Sequence, residues 1–255
     1  MAKSSYFYHL KLPSKDEALK DKILQVLDKH QSYGHRRIAL ELGENRKRIR
    51  RIMKIYSIKP YKRKARWHKR RDEKRKEQPF QNEVKGKFPD RPNLIWAGDF
   101  TNLKFKDSYL YLATLMDLFT REIVGWSLST RHTKDLIINA FLDAFKSTGQ
   151  RPQIIHSDQG VEYCAKDYQK LLGWLGVTIS MSRKSSPWEN GYQESFFNNF
   201  KTDLGLEFDR FNGIGELVEA IHRQINYYNN ERIQLSLKMS PAKFKQRYYQ
   251  THPPG

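Results

Sequence analysis

Apolar residues recur at helical spacing in the first 60 positions of the chain. In residues 16–30 the apolar positions are Leu19, Ile23, Val26 and Leu27. Residues 35–42 and 45–56 show the same periodicity and are separated by Gly43. A repeat of three to four residues places apolar side chains on one helix face. The pattern therefore predicts a small module of three helices.

From residue 94 the pattern changes to apolar, β-branched and aromatic runs separated by short polar breaks. Strands are predicted over 94–105, 108–119, 122–129, 152–158 and 177–182. Helices are predicted over 133–147, 166–176, 186–204 and 215–230. Three adjacent strands followed by strands that alternate with helices predict an α/β fold with a mixed five-stranded sheet flanked by helices.

The helix predicted over 186–204 carries an aromatic stripe that repeats every fourth residue. The stripe consists of Trp188, Tyr192, Phe196, Phe200 and Leu204. Such a stripe predicts the face that packs against the sheet.

Charge is distributed unevenly along the chain. The 255 residues carry 47 Lys+Arg against 28 Asp+Glu, a net charge of +19. Residues 1–94 account for +17 of this charge and the remainder for only +2. A strongly basic half beside a near-neutral half predicts a polyanionic partner. Nucleic acid is favoured over a membrane surface, because the basic stretch has no continuous apolar face.

Composition excludes several classes of protein. No long uncharged apolar run or secretory signal is present, so we expect no membrane span and a cytoplasmic location. Cys164 is the only cysteine, which excludes an internal disulfide and a thiolate zinc site. The sequence has no nucleophile elbow, Walker loop or dinucleotide-binding glycine pattern. Carboxylates are the remaining candidates for catalytic groups.

Two basic regions are candidates for nucleic-acid contacts. The helices at 35–42 and 45–56, joined through a glycine, are typical of a helix-turn-helix, although a small bundle with a solvated basic face would give the same spacing. Residues 59–76 hold eleven basic residues interleaved with Tyr61 and Trp67, which suits either a flexible linker or a segment that follows a DNA backbone. The candidate contact residues are Arg36, Arg37, Arg46, Lys47, Arg50, Arg51, Lys62, Arg63, Lys64 and Arg66.

Three carboxylates stand out by their position. Asp99 lies inside an apolar strand between the small residues Ala97 and Thr101. Asp158 directly follows the end of a predicted strand, where α/β sheets usually bind ligands. Glu194 lies on the predicted helix 186–204. Each of them alone is interpreted as a solvated or turn-forming acid. Three carboxylates together, however, are suited to hold hard divalent cations for phosphodiester chemistry.

The local sequence around these carboxylates resembles a known family. Asp99 and Asp158 are 59 positions apart, and 35 residues separate Asp158 from Glu194. This spacing is similar to the D,D(35)E pattern of retroviral integrases and insertion-sequence transposases. The surrounding segments resemble the OrfB part of transposases of the IS-three family, and these segments are 33–38, 96–101, 156–163, 186–196, 228–232 and 239–241.

The resemblance implies an RNase H-like integrase core that cleaves and joins DNA at element ends with two Mg²⁺ or Mn²⁺ ions. Asp99, Asp158 and Glu194 match the catalytic triad, with Asp99 expected to bridge both ions. Lys201 matches a basic residue that contacts DNA near the active site. Glu189 has the wrong spacing for the triad.

The resemblance also implies a domain organisation. We expect a helix-turn-helix-like DNA-binding module at 1–58, a basic linker at 59–92, the catalytic core at 93–208 and a C-terminal helical extension at 209–255. The expected partners are double-stranded DNA, a second copy in a dimer or larger oligomer, and an upstream OrfA-type protein. The location implied is the bacterial nucleoid.

Two departures from the family pattern affect these expectations. The segment 229–232 lacks the Pro and His that follow it in many relatives, which leaves its role open. The chain begins without heptads, so we expect the OrfB part alone or a truncated form. A non-catalytic DNA-binding regulator and a structure-selective nuclease of the same fold are the alternative functions.

Overall fold

The computed structural model describes residues 3–62, 79–183, 190–205 and 210–253, with side chains from Lys15 onward. The described chain forms two compact units, each with buried apolar residues of its own. The first unit contains three helices: α1 (Lys3–Lys29), α2 (His35–Leu42) and α3 (Arg46–Ile55).

The three helices of the first unit pack through the apolar faces expected from the sequence. Ile23, Ile38 and Ile49 are completely buried. Gly43 ends α2 in the left-handed conformation (φ 64°), which glycine adopts without steric cost. Helix α1 begins at Lys3, well before the predicted start at residue 16. The sequence prediction therefore missed the first turns of this helix.

The second unit is built on a mixed sheet of five strands in the order β3-β2-β1-β4-β5. The strands are β1 (Ile95–Phe105), β2 (Ser108–Asp117), β3 (Ile123–Ser129), β4 (Ile154–Ser157) and β5 (Thr178–Met181). The first three form antiparallel pairs, whereas β4 pairs in parallel with both β1 and β5. The predicted mixed five-stranded sheet is confirmed.

Helices cover both faces of this sheet. They are α4 (Lys134–Thr148), α5 (Lys166–Trp174), α6 (Gly191–Leu204) and α7 (Ile214–Asn230), and α8 (Pro241–Thr251) packs against α7. Ile95 and Ala97 of β1 belong to the core that contains the aromatic residues of α6, whereas Trp96 belongs to the core that contains α4 and α5. Side chains alternate along a strand, so Asp99 faces α6 together with Ala97.

The aromatic stripe of α6 is only partly buried. Phe196, Phe200 and Leu204 are buried as predicted, but Tyr192 is 46% exposed and lies under the guanidinium of Arg121 at 3.6 Å. A repeat of four residues drifts by roughly 40° per step on a helix of 3.6 residues per turn, so the stripe rotates out of the core. Trp188 lies outside the described residues.

No described helix is both long and apolar enough to cross a membrane. Of the predicted basic linker, residues 63–78 lie outside the described residues, and the predicted domain boundaries stay predictions.

Candidate active site

The pairing of β1 with β4 places Asp99 beside Asp158. Ile95 is paired with Ile154, and Ala97 with His156, so partners differ by 59 positions. Asp99 and Asp158 differ by the same number, and Asp158 directly follows the last residue of β4. Neighbouring strands lie about 4.8 Å apart, and side chains in register point to the same face. Both carboxylates therefore stand side by side on the face that α6 covers.

Helix α6 is attached to the sheet by a fully buried glutamine. Gln193 Nε2 donates to the carbonyl oxygens of Ala97 (2.6 Å) and Thr114 (3.3 Å), and Thr114 Oγ1 donates to Gln193 Oε1 (3.0 Å). Asn190 Nδ2 donates to the carbonyl oxygen of Gly98 at 3.2 Å. These bonds hold the first turn of α6, which carries Glu194, against the strand that carries Asp99.

Lys201 is attached to the same strand two turns further along α6. Its Nζ donates to Thr101 Oγ1 at 2.6 Å and to the carbonyl oxygen of Asn102 at 2.9 Å. Thr101 lies two positions after Asp99, on the same face of β1. The predicted basic residue therefore lies beside the carboxylates.

The electrostatics show that the three carboxylates interact. Burial is the main cause that raises the pKa of Asp99 from 3.8 to about 7, and the charges of Asp158 and Glu194 add to it. Lys201 and the N–H of Phe100 act in the opposite direction. The pKa of Asp158 is raised as well, again mainly by burial. Like charges brought together in a half-buried site resist ionisation, and a cation between them would remove that resistance.

The turn after Asp158 leaves little room for a side chain at Gly160. Gly160 N–H donates to Asp158 Oδ1 at 2.9 Å. A Cβ at Gly160 would lie 3.0 Å from Asp158 Oδ1 and 3.1 Å from Glu162 Oε2. Glu162 is itself buried and is hydrogen-bonded to His132 at 2.7 Å. No sequence pattern pointed to Glu162 or His132.

The donor set fits a hard divalent cation. Three carboxylates supply oxygen ligands, and Asn190 Oδ1 is buried without a donor among the described residues. Carboxylate and amide oxygens are the ligand types that Mg²⁺ and Mn²⁺ prefer. In the described part of the chain, no three His, Cys, Asp or Glu side chains already have the geometry of a metal site.

The candidate DNA contacts are distributed over the first unit. Arg36, Arg46, Lys47, Arg50 and Lys62 are exposed. The guanidinium of Arg37 lies over the Tyr33 ring, and Arg51 donates two hydrogen bonds to Asp16, at 2.6 and 2.8 Å. Arg63, Lys64, Arg66 and Glu189 lie outside the described residues.

The segment 229–232, whose role the sequence left open, links three elements. Asn229 accepts from the N–H of Ile123 and donates to its carbonyl oxygen, both at 2.9 Å. Arg232, with a fully buried side chain, donates to Asp203 (2.5 Å) and Asn199 (2.9 Å) of α6. The segment therefore ties the end of α7 to β3 and to α6.

Comparisons with known proteins agree with this architecture. Residues 89–187 and 175–241 match two family descriptions that both read "Integrase core domain". InsK, assigned to insertion sequence element IS150 of Escherichia coli K12, is 33% identical over 260 residues, which cover 97% of this chain and 90% of that protein. The transposase for element IS904 of Lactococcus lactis is 33% identical over 242 residues, with 91% and 94% covered.

Two solved structures share the fold. The catalytic core domain of HTLV-2 integrase, in complex with magnesium, matches with a TM-score of 0.51 and 21% identity, over 60% of this chain and 97% of that one. A chain of a simian T-cell lymphotropic virus intasome matches with a TM-score of 0.56 and 18% identity, over 88% and 74%. The sheet and its helices therefore have the expected RNase H-like arrangement.

Proposed function

Because the chain belongs to the insertion-sequence transposases with an integrase core domain, we propose that Asp99, Asp158 and Glu194 are its catalytic carboxylates. A transposase of this kind is a polynucleotidyl transferase. The observation that carries the proposal is the strand register: it sets Asp99 and Asp158 side by side, and the buried Gln193 holds the turn of α6 with Glu194 against the same strand.

The three carboxylates would hold Mg²⁺ or Mn²⁺, two ions per site. Such ions lower the pKa of an attacking oxygen and neutralise charge on the leaving oxygen. Asp99 is the acid whose pKa both of the others raise, and it would contribute to holding both ions.

The chain's own residues orient the DNA for two in-line displacements. Water first attacks a phosphodiester at the element end, and the released 3′-hydroxyl then attacks the target strand. Lys201, fixed by Thr101 and Asn102, places a positive charge beside the reacting phosphate and Asp99. A positioned cation of this kind stabilises the charge that develops on the phosphoryl oxygens.

We assign sequence-dependent DNA contacts to the exposed basic face of α3, within a DNA-binding module at residues 1–58. The basic linker at 59–92 contributes phosphate contacts, and the core at 93–208 is followed by a helical extension at 209–255. Double-stranded DNA at element ends and targets is the substrate, bound by a dimer or larger oligomer with an upstream OrfA-type partner. Action on chromosomal DNA places the protein at the nucleoid in the cytoplasm.

The decisive experiment compares Glu194→Gln with Glu189→Gln. The replacement of Glu194 keeps size and hydrogen bonding but removes the charge that holds a cation, so cleavage and strand transfer in Mg²⁺ are lost while DNA binding without metal persists. Glu189 lies five residues earlier in the sequence and has the wrong spacing for the triad, so we expect its replacement to leave both reactions intact. An active Glu194→Gln protein would contradict the assignment, and a wild-type protein that binds but never cuts would favour a regulator.

A further inference from the structure

Three rings from separate segments cluster beside the carboxylates, on the side of the sheet opposite α6. Phe100 follows Asp99 on β1, Tyr111 lies on β2, and His132 lies in the connection from β3 to α4. The His132 ring is parallel to that of Phe100 (11°, centroids 6.2 Å apart) and is tilted against that of Tyr111 (4.7 Å). We call these three side chains the ring platform.

The outermost ring of the platform is held in a fixed orientation. The His132 side chain is 53% exposed, yet its Nδ1 lies 2.7 Å from Oε1 of Glu162, whose side chain is only 5% exposed. A carboxylate only accepts hydrogen bonds, so Nδ1 carries the proton and Nε2 points away from Glu162. A buried carboxylate is costly unless it is hydrogen-bonded, so this contact fixes the orientation of an exposed ring.

The platform is coupled to the candidate active site at two points. Asp99 Oδ1 accepts from the N–H of Phe100 at 2.8 Å. Glu162 lies at the same tight turn as Asp158, because a Cβ on Gly160 would contact both carboxylates. Such a Cβ would lie 3.0 Å from Asp158 Oδ1 and 3.1 Å from Glu162 Oε2, so these two oxygens are at most 6.1 Å (3.0 plus 3.1) apart. Glu162 in turn lies 2.7 Å from His132, so the platform reaches the carboxylates through the turn after Asp158.

The chemistry of the platform suits a nucleobase. Flat rings stack on any base, which contributes about 1–3 kcal/mol per base, and a neighbouring cation contacts the backbone phosphate. Arg131 is exposed and precedes His132, and its N–H is fixed by Ser129 Oγ at 3.1 Å. Stacking on a ring requires a base whose faces are open, as at a frayed or processed strand end.

We propose that Phe100, Tyr111 and His132 form a stacking site for one unpaired nucleobase of the DNA strand whose phosphate lies at Asp99 and Asp158. The proposal rests on the DNA-processing function assigned to the carboxylates. It adds a contact on the opposite side of the site from Glu194 and Lys201, so that the strand is held from both sides.

The test measures DNA binding without metal, and it therefore does not depend on cleavage. The probes are a short duplex with one unpaired 2-aminopurine at a 3′ end, the same duplex with an abasic site there, and a blunt duplex. We expect the wild-type protein to bind the unpaired base about 10-fold more tightly than the abasic site, together with a change in 2-aminopurine fluorescence.

Three variants distinguish stacking from a purely structural role. His132→Ala loses the preference for the unpaired base, whereas His132→Phe keeps a flat ring and retains it. Tyr111→Leu reduces the preference and is the second variant should His132→Ala fail to fold. The matched control is His222→Ala, because His222 is also exposed beside an aromatic ring, that of Trp126 at 6.3 Å.

The outcomes that overturn the proposal are distinct from those that overturn the catalytic assignment. No preference in the wild-type protein, a preference kept by His132→Ala, or its loss in both His132 variants would each refute stacking. The last result would show that the hydrogen bond to Glu162 matters instead. A retained base preference in a protein that does not cleave would leave the platform standing and refute the catalytic assignment.

Discussion

Replacement of Asp99 by asparagine tests the electrostatic argument for the site directly. The substitution keeps the size of the side chain and an acceptor for the Phe100 N–H, but it removes the charge. In the metal-free protein the pKa of Asp99 is about 7 rather than 3.8, mainly because the carboxyl is buried. The folded protein therefore holds a proton that the unfolded chain releases, and ionisation of this group opposes folding.

The magnitude follows from the pKa difference. A folded-state pKa above the unfolded value means that stability falls as the pH rises from 3.8 to about 7. Each pKa unit corresponds to about 1.4 kcal/mol, so the penalty is about 2 kcal/mol near pH 5 and about 4 kcal/mol near pH 8. Asp99→Asn does not have this penalty. The difference in the free energy of unfolding between Asp99→Asn and the wild-type protein is therefore larger near pH 8 than near pH 5, by about 2–3 kcal/mol.

The assay is urea unfolding in a chelating buffer at both pH values, followed by the same titrations in Mg²⁺. Asp107→Asn is the matched control, because Asp107 is exposed in the turn between β1 and β2. Mg²⁺ stabilises the wild-type protein and not Asp99→Asn, since the cation needs the carboxylate. A gain that is equal at both pH values, or an equal response of both proteins to Mg²⁺, would refute the reasoning.

Two further predictions concern the contacts that hold α6. Gln193→Leu removes the buried amide that attaches α6 to the sheet. We measure the cleavage rate as a function of Mg²⁺ concentration, and we expect the rate to fall about 10- to 100-fold and the Mg²⁺ concentration needed for cleavage to rise. Gln169→Leu is the control and should keep the wild-type requirement, because it removes an amide bond from α5 to the carbonyl oxygen of Cys164, just before that helix. Asp203→Leu leaves the buried Arg232 without its carboxylate and destabilises the protein by about 3–5 kcal/mol in urea unfolding. The double variant Arg232→Met/Asp203→Leu should recover most of this loss, and a double variant no more stable than Asp203→Leu would contradict the ion-pair argument.

Much of the fold was predictable because local periodicity reports burial. The five strands and the described helices other than α8 (Pro241–Thr251) match segments predicted from apolar runs and from repeats of three to four residues. The separation of 59 between Asp99 and Asp158 was also visible in the sequence. Its meaning as the β1–β4 register was not, since the pairing of two distant strands is not encoded in either strand alone.

The errors and omissions have a common physical cause. The four-residue stripe of α6 predicted a buried Tyr192, whereas the position that meets the sheet is held by the polar Gln193. A buried polar residue in an apolar stripe signals a specific partner, but the sequence does not say which carbonyl it meets. The same holds for the pairing of Glu162 with His132 and for the burial of Arg232.

The sequence by itself therefore determined which segments are helices and strands, which carboxylates are candidates and where positive charge accumulates. Only the tertiary structure decided which side chains meet: the in-register pair of aspartates, the amide that attaches α6, and the ring platform beside them. The physical reason is that periodicity and charge are properties of short segments, whereas hydrogen bonds and desolvation depend on atoms brought together from segments far apart in the chain.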